Sequence, residues 1–223
     1  MIHKITTFIL IILISMSAIQ KTYAQGKNDK ESSQVSAEDK KTAEPENKYT
    51  EADAKEDKLK VDRIENTLDY GMQKDRITAM NLIHTIKSED MKKKVLRRLI
   101  KVIENDSNVE AKKTAITVSG DLESREAIPA LIKSLNDSSE DIRIAACYSL
   151  GKLKAHEAKG DVIDILKKQD LGVDSNLTEA LVIFLTDLKA ADIIDYAIES
   201  VKDHKTGRMA RERFMIYIGK TGS

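Results

Sequence analysis

From Leu59 onward, apolar residues recur at the three- and four-residue spacing of amphipathic helices, and short polar turns interrupt them at regular intervals. VLRRLIKVIE (95–104) and AIPALIKSLN (127–136) lie in register at a spacing of 32, pairing Leu96 with Ile128, Leu99 with Leu131, Ile100 with Ile132 and Ile103 with Leu135. Each is followed by a second helical stretch. NDSNVEAKKTAITVSGDL (105–122) and NDSSEDIRIAACYSLGKL (136–153) align without gaps at a spacing of 31. The unit is therefore helix A, polar turn, helix B, and internal repetition of this length marks a stacked architecture. The pattern extends with weaker identity on both sides, predicting five pairs at about 57–88, 89–122, 123–154, 155–188 and 189–221.

A pair of helices on its own leaves one apolar stripe uncovered, so each must stack on the next. Small residues at the centre of helix B (Ala111, Ala115, Ala145, Ala146, Ala180) allow close approach. Asn105-Asp106-Ser107 and Asn136-Asp137-Ser138-Ser139 offer side-chain oxygens to the free N–H groups that open each helix B. Pro129 fits only the first turn of a helix, which puts that helix's start near Glu126.

The string SREAIPALIKSLNDSSEDIRIAACYSLGKL resembles a HEAT repeat, of the short variety first named for its occurrence in phycobilin lyases. The resemblance is close across 123–154, clear across 89–122 and only patterned in the outer three units. It implies an all-α, right-handed α-solenoid of about five helix pairs with helix B on the concave side. It also implies a structural ladder from the Asp before helix B and the basic residue near its start. Asp137 and Arg143 fit that role, with Asp106 and Lys112 as a weaker copy; Gly172 and Thr178 stand there in the fourth unit and break it.

The first 24 residues follow a different rule. Lys4 precedes an uncharged run from Ile5 to Ile19 that ends in Thr22-Tyr23-Ala24, the layout of a secretory signal peptide cleaved after Ala24. Fifteen residues fall short of the roughly 20 needed to span a bilayer, so a membrane association would require this segment to stay uncleaved. Residues 25–56 lack Leu, Ile, Met and Phe and read as a disordered charged linker whose part from Tyr49 is compatible with helix, with the folded region at 57–223. The expectation is an exported protein, periplasmic or secreted.

Composition narrows the function. Among 223 residues, 2 Pro and 9 Gly argue against a turn-rich β fold, and a single Cys excludes a disulfide framework. Equal numbers of basic and acidic residues, 37 of each, remove any global pull toward nucleic acid, and none is expected as a partner. No Ser-elbow or phosphate loop occurs, and no two His stand at the spacing that places ligands on one helical face. Di-iron members of the HEAT superfamily carry paired His-Glu dipeptides on their B helices. Here the one such dipeptide, His156-Glu157, falls in a turn between units. No cofactor and no enzymatic activity are expected, and Cys147 reads as a buried thiol.

What remains is surface. Tyr148, Ile183 and Ile216 occupy equivalent B-helix positions in three consecutive units, with Ile144 one turn before Tyr148, an apolar stripe suited to a protein partner. Residues 86–113 carry nine basic and five acidic residues, including Lys92, Lys93, Lys94, Arg97, Arg98 and Lys101, a weaker candidate for an anionic partner. Residues 155–203 carry five basic and eleven acidic residues, and such segregation could favour end-to-end self-association. The leading expectation is an exported adaptor or scaffold binding another protein through the helix-B face. The alternatives are a HEAT-scaffold enzyme or maturation factor, and an envelope protein held to an anionic surface by its basic helix.

Overall fold

A computed structural model describes residues 49–222. The expected signal peptide (1–24) and most of the expected linker (25–48) lie outside the described residues. Ten α-helices are found among them, with no strand, all in one compact unit. They are α1 (Glu51–Tyr70), α2 (Gln73–Asn81), α3 (Glu89–Asn105), α4 (Val109–Asp121), α5 (Ile128–Ser134), α6 (Glu140–Lys152), α7 (Lys159–Leu166), α8 (Asn176–Asp187), α9 (Ile194–Lys202) and α10 (Arg208–Thr221). Odd-numbered helices are the A members and even-numbered helices the B members of successive pairs. Every substantial contact joins helices of the same or adjacent pairs, so the chain forms an open α-solenoid.

The first helix starts at Glu51, within the helix-compatible stretch from Tyr49 and ahead of the expected boundary near residue 57, because Thr50 and Asp53 form a reciprocal capping box. Asp57 then explains why this solvated stretch is held. It is buried, and it accepts hydrogen bonds from the backbone N–H of Lys87 at 3.0 Å and of Ser88 at 2.7 Å, and from the Tyr49 hydroxyl at 3.2 Å. Burial pushes its pKa up, but these three donors outweigh it and hold the carboxyl below its ordinary value. A carboxylate of unit one thus receives the N–H groups where α3 begins.

The B helices carry the stack. Ala111, Ala115, Ala146 and Ala180 are fully buried where α4, α6 and α8 meet, while Ala145 stays half-buried. The tightest approach is at Gly120, where a Cβ would lie 2.7 Å from Ser149 Oγ and 2.8 Å from Ser149 Cβ. The Ser149 hydroxyl donates to the Ile116 carbonyl at 3.0 Å, closing that junction.

Each of α4, α6 and α8 ends the same way. Glu123, Lys154 and Lys189 adopt the left-handed conformation, at φ 52°, 48° and 50°. The following amide reaches back to a carbonyl of the last turn: Ser124 to Ser119, Ala155 to Leu150 and Ala190 to Leu185. This is the pairing that closes a helix C-terminus with a left-handed residue, usually glycine. A short 3₁₀ turn follows each one (Arg125–Ala127, His156–Ala158, Ala191–Ile193) and leads into the next A helix. Pro129 sits in the first turn of α5, where its missing amide costs nothing.

Candidate functional site

The left-handed residues supply a common register for the B helices. Six positions before each stand Thr117, Tyr148 and Ile183, and ten before each stand Lys113, Ile144 and Glu179. α6 is thus flanked by two rails of side chains on the same helix side. Ile144, Ala145 and Tyr148 of α6, together with Lys113 and Thr117 of α4, line a groove of about 600 Å³. Asp141, Lys152 and Asp187 form its charged margin.

The groove floor is half-buried aliphatic surface from Ile144 and Ala145, and Tyr148 remains 42% exposed. Burial and the neighbouring Glu179 carboxylate raise the pKa of the Tyr148 phenol, with Arg213 opposing weakly. Tyr148 therefore presents an uncharged ring and hydroxyl at neutral pH. Glu179 is engaged by the Arg213 guanidinium, which ties α8 to α10. Lys113 reaches Glu110 at 2.8 Å and Lys152 is paired with Asp121, so both margin cations are held.

The stripe read from sequence is brought together only in part. Ile144 and Tyr148 share the groove. Ile183 is half-buried and Ile216 is 46% exposed, and neither lines it. Thr117 and the margin acids escaped the sequence reading. The offset of 31 between the two best repeats does place Thr117 opposite Tyr148, and that signal could have found it.

The basic helix turns out to be largely committed. Lys94 pairs with Glu65 at 2.9 Å, Arg98 with Asp69 at 2.8 Å, Arg97 with Glu126 at 3.6 Å and Lys92 with Glu89 at 2.6 Å. Lys93 and Lys101 have no ion pair among the described residues. Much of the positive charge of α3 therefore serves contacts with α1 and with the 3₁₀ turn before α5.

The ladder residues meet across units. Arg76 of α2 grips Asp106 of the next unit, and Lys112 of α4 reaches Asp137 of the one after, at 2.7 Å. Each Asp also accepts an amide two residues on: Asn108 N–H to Asp106 and Ser139 N–H to Asp137, both at 2.9 Å. The cap on α4 comes from Asn108 itself, not from the Asn105–Ser107 turn, and Ser139 before α6 makes no side-chain cap bond. Arg143 breaks the series. It donates to the carbonyls of Asp137 at 2.9 Å and Ser138 at 3.2 Å in its own turn. In the fourth unit, Asp170 rather than Gly172 holds the equivalent place, accepting the Gly172 amide at 2.9 Å. Thr178 stands at the basic position, buried, with no hydrogen-bond partner for its hydroxyl.

Chemistry of other kinds finds no assembly. His156 and Glu157 are exposed in the 3₁₀ turn, where Glu157 faces Arg125 at 3.3 Å. Cys147 is buried, and burial pushes its thiol pKa up, away from a reactive thiolate. Among the described residues no group of three or more His, Cys, Asp or Glu is placed to hold a metal ion, and no helix is long and apolar enough to cross a membrane.

Comparison with known proteins follows this geometry. Residues 96–182, spanning α3 to α8, match the family described as HEAT repeats. The fold also resembles a chain in the structure of the complex of CpcE and CpcF of phycocyanin lyase from Nostoc sp. PCC7120, with a TM-score of 0.59 at 19% identity. That likeness covers 83% of this chain and 70% of the other. No curated protein matches the sequence. The described residues thus form an α-solenoid, and the match to HEAT repeats lies in its three central units.

Proposed function

We propose that this HEAT-repeat chain is an exported, non-enzymatic adaptor that binds another protein in the cell envelope through its B-helix face. One observation carries the reading: the groove over Ile144, Ala145 and Tyr148 joins apolar floor to a mixed-charge margin on the side where three units meet. Such a surface suits a peptide or helix that brings an aliphatic or aromatic side chain of its own. Export rests on the segment 1–24, and a non-catalytic role on a sequence without a nucleophile–base pair or ligand spacing.

The test is recovery of partners from envelope extracts on immobilised protein, with Tyr148→Glu and Ile144→Glu beside the parent. Val173→Glu, at an exposed site away from the groove, serves as control. Partner recovery should fall by about tenfold for the groove variants and stay level for the control. Equal recovery by all folded variants would remove this face.

The phycocyanin-lyase likeness favours a second reading, a HEAT scaffold acting in an enzyme or in enzyme maturation. That version predicts a bound prosthetic group, detectable by absorption spectroscopy and elemental analysis of native protein. Attachment to an anionic surface is less favoured, because α3 spends most of its charge on Glu65, Asp69, Glu89 and Glu126.

A further inference from the structure

The first unit carries a face, mixed in polarity but set with exposed Leu59, Tyr70 and Leu82, that no other helix covers among the described residues. Leu59, Arg63, Asn66 and Tyr70 recur at three- to four-residue spacing along one side of α1, and Asp75, Thr78 and Leu82 continue the surface on α2 and the turn after it. Arg63, Tyr70, Asp75 and Leu82 line one hollow of about 300 Å³. Leu59 is 65% exposed, Tyr70 84% and Leu82 41%. The outer face of a terminal repeat is ordinarily polar, because nothing stacks on it.

Charge supplies the second observation. The acids of α1 that face α3, Glu65 and Asp69, are both paired. Arg63 and Asp75, on the open side, make no ion pair among the described residues although they flank the same hollow. One cation and one anion lining a hollow shared with Tyr70 and Leu82 make a surface that can complement a second copy of itself under a two-fold rotation.

We infer that this face docks a second copy of the chain in a two-fold contact, with Arg63 of each copy meeting Asp75 of the other across Tyr70 and Leu82. Head-to-tail continuation of the stack does not fit. Each cation of the ladder enters a turn that supplies Asp before helix B, whereas Tyr70, Gly71 and Met72 stand before α2. The area suits a weak dimer: α1, with 20 residues, is about 30 Å long and α2, with 9, about 14 Å, so side by side they offer roughly 450 Å² per copy, in the range of transient associations.

Sedimentation equilibrium of the purified full chain tests this, with circular dichroism to verify folding. The expected result is a monomer–dimer equilibrium in the micromolar range. Tyr70→Glu should weaken it by about tenfold or more, and the exposure of that ring leaves the fold intact. Arg63→Asp alone and Asp75→Arg alone should each weaken it by about tenfold, and the double exchange should restore it to within about threefold of the parent. A chain still monomeric at about 100 μM, growth beyond the dimer, or a double exchange no tighter than either single would overturn the proposal. So would a monomer whose cross-links join Lys58 or Lys74 to residues before Tyr49, since that assigns the face to the chain's own leader.

Discussion

The two ends of this solenoid are held by different means. In the first two units the A helices are long, 20 residues for α1 and 17 for α3, and they are pinned side by side by Lys94–Glu65 and Arg98–Asp69. In the last three they shrink to 7, 8 and 9 residues, each entered through a 3₁₀ turn, and α5, α7 and α9 make no substantial contact with one another. There the stack rests on α4, α6, α8 and α10. The ladder changes at the same place: Arg76–Asp106 and Lys112–Asp137 join units one to three, and Arg143 then turns back on its own backbone. Charged ties between A helices mark the front of the molecule, whereas the rear rests on B-helix packing to which Arg213–Glu179 adds a tie between α8 and α10. The α8 sequence agrees, with Leu177, Ala180, Leu181, Phe184 and Leu185 all buried.

Substitution can break this contrast, most severely at the close approach of the B helices. Gly120→Val should destabilise the chain by about 2–4 kcal/mol, since the new side chain must displace the backbone-anchored Ser149. Gly151, one repeat later, has its nearest neighbours at 3.8 and 3.9 Å, so Gly151→Ala should be neutral or stabilise by up to about 1 kcal/mol. Urea midpoints of the two variants compare the junctions directly.

The rungs come next in size. Asp106→Ala leaves the half-buried Arg76 and the Asn108 amide without their acceptor and should cost about 1.5–3 kcal/mol. Asp170→Ala loses one exposed turn bond and should cost roughly 0.5–1 kcal/mol. Similar losses for both would erase the distinction between front and rear.

Acid sharpens the contrast. Asp57 and Asp137 are held below their ordinary pKa. Burial opposes this at each, and is outweighed at Asp57 by backbone amides and the Tyr49 hydroxyl, and at Asp137 by Lys112, the Ser139 amide and the Ser138 hydroxyl. A lowered folded-state pKa adds stability that is complete above the unfolded value of about 4 and is lost as the pH falls below it. Hydrogen exchange at pH 3 against pH 6, corrected for intrinsic rate, should show the amides of α3 and α4 losing protection before those of α8.

The smallest effect is a gain. Lys154→Gly and Lys189→Gly place glycine where the backbone is left-handed, and each should raise stability by about 0.5–1 kcal/mol by calorimetry.

Periodicity made the helix pairs readable because each A and B stripe faces a neighbour with the same spacing. It failed where two units differ in turn length. A fixed offset places Gly172 opposite Asp137, whereas the turn that α8 needs is made by Asp170. It left the start of α1 as no more than a helix-compatible stretch from Tyr49, since Glu51 to Glu56 show almost no apolar signal, although Thr50 and Asp53 spell a capping box. The left-handed residues were hidden because glycine is absent from them. Only the recurrence of Leu122-Glu123, Leu153-Lys154 and Leu188-Lys189 hinted at a shared conformation. At the groove, Ile144 and Tyr148 were legible as a stripe, but which neighbours complete it depended on how α4 and α8 sit beside α6.

Among the described residues, substantial contacts that stay within a pair or join adjacent pairs have a mechanical consequence. A load applied through the two ends would pass through every junction in series, so the weakest junction sets the force at which anything gives. Each yielding pair would release roughly 100 Å of extended polypeptide while its neighbours stay folded. A protein built this way can lengthen stepwise between two attachment points without losing its grip on either.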